Sequence, residues 1–509
     1  MNSVGFLDLF AGCGGLSLGL EKAGLNLVAA VEKSDMAGKT HFKNFEMRGQ
    51  EGDVFDDRWE DLLQSSRDGD YAHQVEAGLV IGDVWKLLDD PPSMRALKEK
   101  GPRVIVGGPP CQGFSMAGRR NPEDKRNQLP DAFLDFVKAL RPEAVVIENV
   151  AGINMAYMAR GGTETPFSQL RLALEGINDG YVVQSVQLNA RHFGIPQNRP
   201  RMMLIALRKD VANSIGISNT EVQGLWRSSD AMLALANGDD DPSLCRVLVP
   251  RVGSRITGDP VRPPREGQDF WHSAQDGLRD LDEVGYLPKV DYREKEFRYA
   301  REMRFDPQNQ TTKAMDHRQR RTKEAMNHKQ RNHTLEVRQR FDLYRFFSEE
   351  RIPNSVLALP SLMGKREDDN PDPLGEAEVR RQISVALDGK EASPTRDFYT
   401  KEDECLVDVI MRLATRKHSQ RVVNGEIPAP TVVTLPDDYI HPTESRIMTV
   451  RELARFQSFP DWFEFCSKET TGSHRRRIEV PQYSQVGNAV PPLMAKAIGE
   501  LLVELLPDT

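Results

Sequence analysis

Cys111 stands in Gly107-Gly-Pro-Pro-Cys-Gln-Gly-Phe-Ser115, directly after the short apolar run Val104–Val106. Two prolines make a rigid platform for the thiol, and the flanking glycines leave room for a planar substrate. A thiolate there can attack an electrophilic ring carbon if nearby positive charge or a helix N-terminus depresses its pKa. The competing reading is a buried structural cysteine, which the Pro/Gly surroundings disfavour. Glu148, in Glu148-Asn-Val150, follows the apolar run Ala144–Ile147. A carboxylate leaving such a run is costly unless paired, and burial favours its protonated form. Protonated, Glu148 can donate a hydrogen bond to a ring nitrogen; a salt-bridged structural role fits the residues equally well. Arg199 and Arg201, in Gln197-Asn-Arg-Pro-Arg201, offer planar forks for a carbonyl, carboxylate or phosphate, or simply surface charge.

A second group of residues suits an adenosine-bearing cofactor. Gly12-Cys-Gly-Gly15 follows the first apolar run, and glycines let backbone turn tightly against a ligand. Glu32 follows the second run, where a carboxylate can accept from ribose hydroxyls. Asp83 follows the third and can accept from an adenine amino group. The glycine spacing departs from GxGxxG, so a nicotinamide dinucleotide and S-adenosylmethionine stay open on these residues alone.

These groups share one placement. Phe6–Phe10, Leu27–Val31, Leu79–Ile81, Val104–Val106 and Ala144–Ile147 read as short buried strands, and Val182–Leu188 and Met202–Leu207 as two more. Leu16–Ala23 and Ala132–Leu140 read as helices, with Gly24 suited to cap the first. The alternation predicts an α/β fold with a doubly wound, mostly parallel sheet. Ligands bind such sheets beyond the carboxyl ends of the strands, where these polar and Gly-rich groups fall.

The alternation fades after Arg208 and returns near Thr449. We therefore expect a first domain over 1–207, a second with long loops over 208–444, and a return segment, 445–509, that completes the first. Ala236–Pro242 and Lys365–Pro373 read as loops or linkers. The length of 509 residues allows two to four domains. Five scattered cysteines without a CxxC pair exclude a disulfide framework or zinc site from the expectations. No apolar run approaches the roughly 18 residues of a membrane helix, and Met1–Phe10 lacks a secretory pattern, so a cytoplasmic protein without membrane contact is expected. A net charge of −8 argues against a uniformly basic surface and leaves nucleic-acid contact to local patches. One such patch is repeated: Ala314-Met-Asp-His-Arg-Gln-Arg320 recurs as Ala325-Met-Asn-His-Lys-Gln-Arg331. On a helix, an offset of eleven residues puts both copies on nearly one face. Lys313–Arg345 holds ten Lys or Arg against four Asp or Glu, which suits either DNA-phosphate contact or a solvated surface.

In order and content these motifs resemble the DNA (cytosine-5) methyltransferase family of bacterial restriction–modification systems. Phe6-Leu-Asp-Leu-Phe-Ala-Gly-Cys-Gly-Gly15, Glu32 and Gly82-Asp-Val84 look like its cofactor motifs, Gly108–Gln112 its catalytic loop, and Glu148–Val150 its catalytic-acid motif. Gln197–Arg201 matches the next motif, Arg451–Pro460 the ninth, and Gln485–Pro492 the tenth. The likeness covers 1–207 and 445–509; the middle falls where the family carries a variable target-recognition domain. It implies S-adenosylmethionine as cofactor, held by Phe10, Gly12, Gly14, Gly15, Glu32, Asp83, Pro110 and Asn488. It implies that Cys111 attacks carbon 6 of a flipped-out cytosine in double-stranded DNA, that Glu148 contacts ring N3, and that Arg201, with Arg199, positions both. Ser115, Arg119, Arg120 and Arg126 fall in the loop that closes over DNA. A monomer with cognate restriction or defence proteins as partners follows from the same likeness. The rival readings are an RNA cytosine-5 methyltransferase, an amino-methylating DNA enzyme, against which Pro-Pro-Cys argues, and a catalytically inactive DNA-binding regulator. The stretch between Glu32 and Asp83 is longer than the family pattern and reads as helical and charged.

Overall fold

The computed structural model describes residues 4–110, 128–150, 166–217, 272–282, 290–291, 293–305, 325–363, 374–393, 395–400, 403–417, 419–472, 475 and 478–506. Seven strands form the central sheet: β1 (Gly5–Leu9), β2 (Asn26–Glu32), β3 (Leu79–Ile81), β4 (Val104–Gly107), β5 (Ala144–Val150), β6 (Tyr181–Asn189) and β8 (Pro200–Arg208). The two-residue strand β7 (Gln197–Asn198) lies outside it. The order is β3-β2-β1-β4-β5-β8-β6. β1 to β5 run parallel, while β8 is antiparallel to both β5 and β6. The expected doubly wound sheet is therefore present. Apart from Asp8 in β1, the cores of its inner strands are apolar runs because both faces are covered, as in buried parallel sheets generally. The chain moves outward from β1 to β3 and then returns to β4 on the other side of β1. That reversal opens a crevice at the carboxyl ends of β1 and β4.

Helices α1 (Gly15–Lys22), α2 (Asp35–Asn44), α3 (Asp53–Asp68), α4 (Tyr71–Ala77), α5 (Val84–Leu88), α6 (Pro91–Lys100) and α7 (Leu129–Leu140) follow their strands. The long stretch between Glu32 and Asp83 is α2, α3 and α4. The apolar side of α3, Phe55, Trp59 and Leu62, packs with Phe42 of α2 and with Leu79 and Ile81 of β3. The insert thus adds a small core at the sheet edge and leaves the register of β3 intact.

The C-terminal helix, Pro492–Leu505, lies on α1. The contact depends on small residues. A Cβ on Gly15 would sit 2.3 Å from the Val490 carbonyl oxygen, and one on Gly19 2.3 Å from that of Pro492. Ile498 and Leu502 then reach Leu16 and Leu20 in one face of the sheet core.

A separate helical core forms from Phe341, Tyr344 and Phe347 of the helix Leu335–Glu350, Val379 and Ile383 of Glu376–Leu387, and Val409 and Ile410 of Leu406–Arg412. The repeated basic sequence is not a continuous helix. Its second copy, Ala325–Arg331, is a turn and extended chain, with Asn327 at φ 58° and His328 buried, and the helix starts only at Leu335. Asn327 ends the helical reading, because a left-handed residue redirects the chain. The first copy, Ala314–Arg320, lies outside the described residues, as do the loops expected at Ala236–Pro242 and Lys365–Pro373. No helix among the described residues is long and apolar enough to cross a membrane.

Candidate active site

The cofactor side of the crevice is built from the first turn of the chain. Phe10, Gly12 and Gly14 all have positive φ, at 61°, 59° and 95°. They fold the chain back from β1 into α1. The amide of Ala11 donates to the Val31 carbonyl at 3.0 Å, tying the turn to β2. Glu32 closes the arrangement: its carboxylate accepts from the amides of Gly12 at 2.9 Å and Ser34 at 2.7 Å. Burial raises its pKa, and the amides pull against that shift. A Cβ on Gly14 would strike the Phe45 ring at 2.4 Å, whereas one on Gly12 would meet nothing within 4 Å. Gly14 is therefore fixed by packing, while Gly12 faces open space.

Asp83 caps α5 through the Trp85 amide at 3.0 Å and pairs with Lys33 at 2.9 Å. Partial burial acts to raise its pKa, but Lys33 and the amide outweigh it and hold the carboxyl below the usual range. Asn488 is exposed at the end of the helix Gln482–Asn488, next to the segment whose Ala489 and Val490 meet Gly15.

One more acid of the Phe6–Gly15 motif lies in this region. Asp8, inside β1, is 1% exposed. Burial pushes its carboxyl up to about 7, although Ser17 Oγ donates to it at 2.5 Å. The sequence signal was available, because a lone acid in Gly5–Leu9 interrupts a strand covered on both faces.

The catalytic side joins β4, β5 and β8. Across the antiparallel pair Glu148 faces Met203 and Val150 faces Arg201, so Glu148 and Arg201 are diagonal neighbours on one face. Arg201 Nε lies 2.7 Å from Glu148 Oε1, an ion pair by distance whose N–H is not aligned as a hydrogen bond. Burial lowers the Arg201 pKa, with Glu148 opposing the shift. The other oxygen, Oε2, sits 2.9 Å from where a Cβ on Gly108 would stand. Asn149 Nδ2 donates to the Pro109 carbonyl at 3.4 Å. The Gly-Pro-Pro approach to Cys111 and the acid motif are therefore in contact, with Pro110 half-buried beside them. Cys111, Ser115, Arg119, Arg120 and Arg126 lie outside the described residues. Among the other cysteines, burial pushes the Cys13 and Cys466 thiols up to about 12, which disfavours thiolate there.

Arg199 sits elsewhere. It is 1% exposed and donates to the carbonyls of Val432 at 3.1 Å, Gly487 at 2.8 Å and Ala489 at 3.0 Å. Burial pushes its pKa well down. Gln197 works beside it, donating to the Phe456 carbonyl and to Gln457, each at 2.8 Å, and accepting from the Val432 amide at 2.9 Å. These two side chains clamp the tenth-motif segment and the 432 segment onto β7 and β8. Arg331 of the basic repeat pairs with Asp437 at 3.4 Å, while Lys329 is exposed.

The sequence model of C-5 cytosine-specific DNA methylases matches residues 4–69 and 71–504. The chain is 26% identical over 498 residues to the type II methyltransferase M.DdeI of Desulfomicrobium norvegicum, covering 98% of this chain and 88% of that protein. It is 27% identical over 506 residues to M.XorII of Xanthomonas oryzae, covering 98% and 84%. Among solved structures, an E. coli prophage-encoded protein described as a DNA modification methyltransferase superposes with a TM-score of 0.54 at 21% identity, covering 99% of this chain and all of that one, which supports the fold. A Gly-rich turn closed by a half-buried acid, a Gly-Pro-Pro loop against an Arg-paired Glu, and a near full-length sequence match lead to one conclusion: the chain belongs to the C-5 cytosine-specific DNA methylase family.

Proposed function

We propose that the protein transfers a methyl group from S-adenosylmethionine to carbon 5 of cytosine at a specific double-stranded DNA site, through a covalent adduct on Cys111. The contact of Gly108 and Pro109 with Glu148 and Asn149 carries this reading, because it sets the loop leading to Cys111 against an Arg-paired acid. The site residues fit the cofactor. Gly12 offers an open backbone surface, and Glu32 places a half-buried carboxylate beside it for ribose hydroxyls. Phe10, Gly14, Gly15, Asp83, Pro110 and Asn488 complete the proposed pocket. When bound, S-adenosylmethionine supplies a methyl group on a sulfonium, an electrophile for a carbon nucleophile.

The chain's own residues do the rest. The target carbon is hidden in a duplex, so the base must leave the stack. The Cys111 thiolate forms a bond to carbon 6, and the ring electrons move toward carbon 5 and N3. Glu148 donates a hydrogen bond to N3 as charge develops there, and Arg201 holds the carboxyl in place. After carbon 5 gains the methyl group, water takes the carbon 5 proton, the carbon 5–carbon 6 double bond reforms, and the carbon 6–sulfur bond breaks to release the Cys111 thiolate. Arg199 acts at a distance, by fixing the segment that carries Asn488. Ser115, Arg119, Arg120 and Arg126 suit phosphate contacts. We assign 208–444 to target recognition, with 1–207 and 445–509 forming the catalytic domain. The same reading makes it a cytoplasmic monomer working alongside a restriction or defence partner.

The test uses duplex DNA and tRNA with labelled cofactor, and a duplex carrying 5-fluorocytosine. The expected outcome is 5-methylcytosine in duplex DNA and a denaturation-resistant adduct that Cys111→Ser abolishes. Turnover that survives Cys111→Ser would overturn the covalent route, and labelled tRNA with unlabelled duplex would move the enzyme to the RNA class.

A further inference from the structure

The Glu464–Phe465 segment is gripped from both sides by asparagines. Asn44, the last residue of α2, donates to the Glu464 carbonyl at 2.8 Å and accepts from its amide at 3.0 Å. Asn327, in the second copy of the repeat, donates to the Phe465 carbonyl at 2.8 Å and accepts from its amide at 2.9 Å. Each side-chain amide therefore satisfies both main-chain groups of one residue. α2 follows directly from Glu32, so the paired grip connects the cofactor side of the crevice to the region between β8 and the ninth motif.

The rest of the turn reinforces the grip. Arg451 donates its amide to the Asn327 carbonyl at 3.0 Å and its Nε to that of Met326 at 2.8 Å. His328 bridges Thr449 Oγ1 at 2.9 Å and the Asp282 carbonyl at 2.6 Å. A carbonyl only accepts, so Nε2 carries the proton in this bridge. Thr449 in turn accepts from the Glu452 amide and caps the ninth-motif helix, Val450–Phe456. Asn327 also needs its φ of 58°, a region that asparagine tolerates better than most residues.

We propose that Asn327, working with Asn44 through Glu464–Phe465, is the positioning residue that sets the angle of the target-recognition region against the catalytic crevice. The chemistry of the duplication supports this choice. The upstream copy carries Asp316 where this one carries Asn327. An ionised aspartate accepts but cannot donate, so it would face the Phe465 carbonyl without a bond. The amide distinguishes the two copies and specifies which of them fits the grip. The inference rests on the reading of 208–444 as the DNA-reading region.

The test compares wild type with Asn327→Asp, which copies the upstream residue, and Asn327→Gly, which keeps the backbone conformation and adds no charge. Three quantities are measured on the full chain: S-adenosylmethionine affinity, steady-state kinetics on the cognate duplex, and the ratio of cognate to single-mismatch activity. Loss of the bonds to Phe465 should raise KM for the duplex by about tenfold and narrow the cognate ratio, the scale of one or two net hydrogen bonds. Cofactor affinity should stay within about twofold, and kcat at saturating duplex should hold. An unchanged KM and cognate ratio in Asn327→Gly would overturn the proposal, as would a loss of cofactor affinity in step with activity. If neither variant folds, amide exchange of the wild type decides. Phe465 and Arg451 should exchange as slowly as the sheet core, and fast exchange at either overturns the grip. If wild type leaves duplex DNA unmethylated, the functional reading has failed instead.

Discussion

The strand-end turns and the returning C-terminal piece are held by different means. At the strand ends two acids are satisfied close by in the sheet: Glu32 by Gly12 and Ser34, and Asp83 by Lys33 and Trp85. On the C-terminal piece the clamps reach across the chain. Arg199 bonds segments more than 230 residues away, and Gln197 does the same. The ninth-motif helix adds buried ion pairs: Arg455 with Asp461 and Asp280, and Arg446 with Glu452 at 2.7 Å. Nearby strands can thus build the Gly-rich turn, whereas seating the C-terminal piece against it takes side chains from distant parts of the chain.

The largest effect should come from breaking the long-range half. Arg199→Ala takes the guanidinium donor from the buried Val432 and Gly487 carbonyls, while Ala489 keeps the Gln457 amide at 3.4 Å, and each unsatisfied group costs roughly 1–3 kcal/mol. Urea denaturation should show a loss of about 3 kcal/mol or more. A change below about 1 kcal/mol would mean that water replaces the guanidinium and the clamp is dispensable.

Asp8 gives the local half its pH signature. Its folded pKa of about 7 lies above the ordinary 3.8, so the folded state holds an extra proton between those values. Its contribution to stability is fully present below pH 4 and is lost as pH rises through 7. Asp8→Asn, neutral throughout, should flatten that part of the stability profile. An unaltered slope between pH 4 and 7 would place the titration elsewhere.

Smaller effects separate binding from scaffold. Glu32→Ala should weaken S-adenosylmethionine by roughly 1.5–3 kcal/mol in calorimetry, the scale of hydrogen bonds to a charged group. Equal affinity would show that the ribose lies elsewhere. Gly15→Ala must displace the Val490 carbonyl and should cost about 2 kcal/mol of stability. Gly12→Ala meets no atom and should cost only about 1 kcal/mol, from its left-handed backbone. A reversed order would mean that the α1 seam yields more readily than the cofactor turn.

The sheet strands were legible because a strand buried on both faces must be a continuous apolar run, and the observed ends differ from the expected ones by only a few residues. The polar groups at those ends were legible for the same reason: they are interruptions. The fold of the basic repeat was not legible, because charge and spacing do not reveal that one asparagine takes a left-handed turn, or that His328 is buried. Arg199 and Arg201 show the limit most clearly. Two residues apart, they looked interchangeable as forks. Alternation along an extended chain aims both the same way, yet one meets Glu148 and the other meets carbonyls of a distant segment. The sequence by itself determined the strand order of events along the chain, the family motifs and the residue types able to do the chemistry. Only the tertiary structure decided which partner each buried charge received, because a desolvated ion is satisfied by whatever the fold brings within about 3 Å, and that depends on contacts hundreds of residues apart.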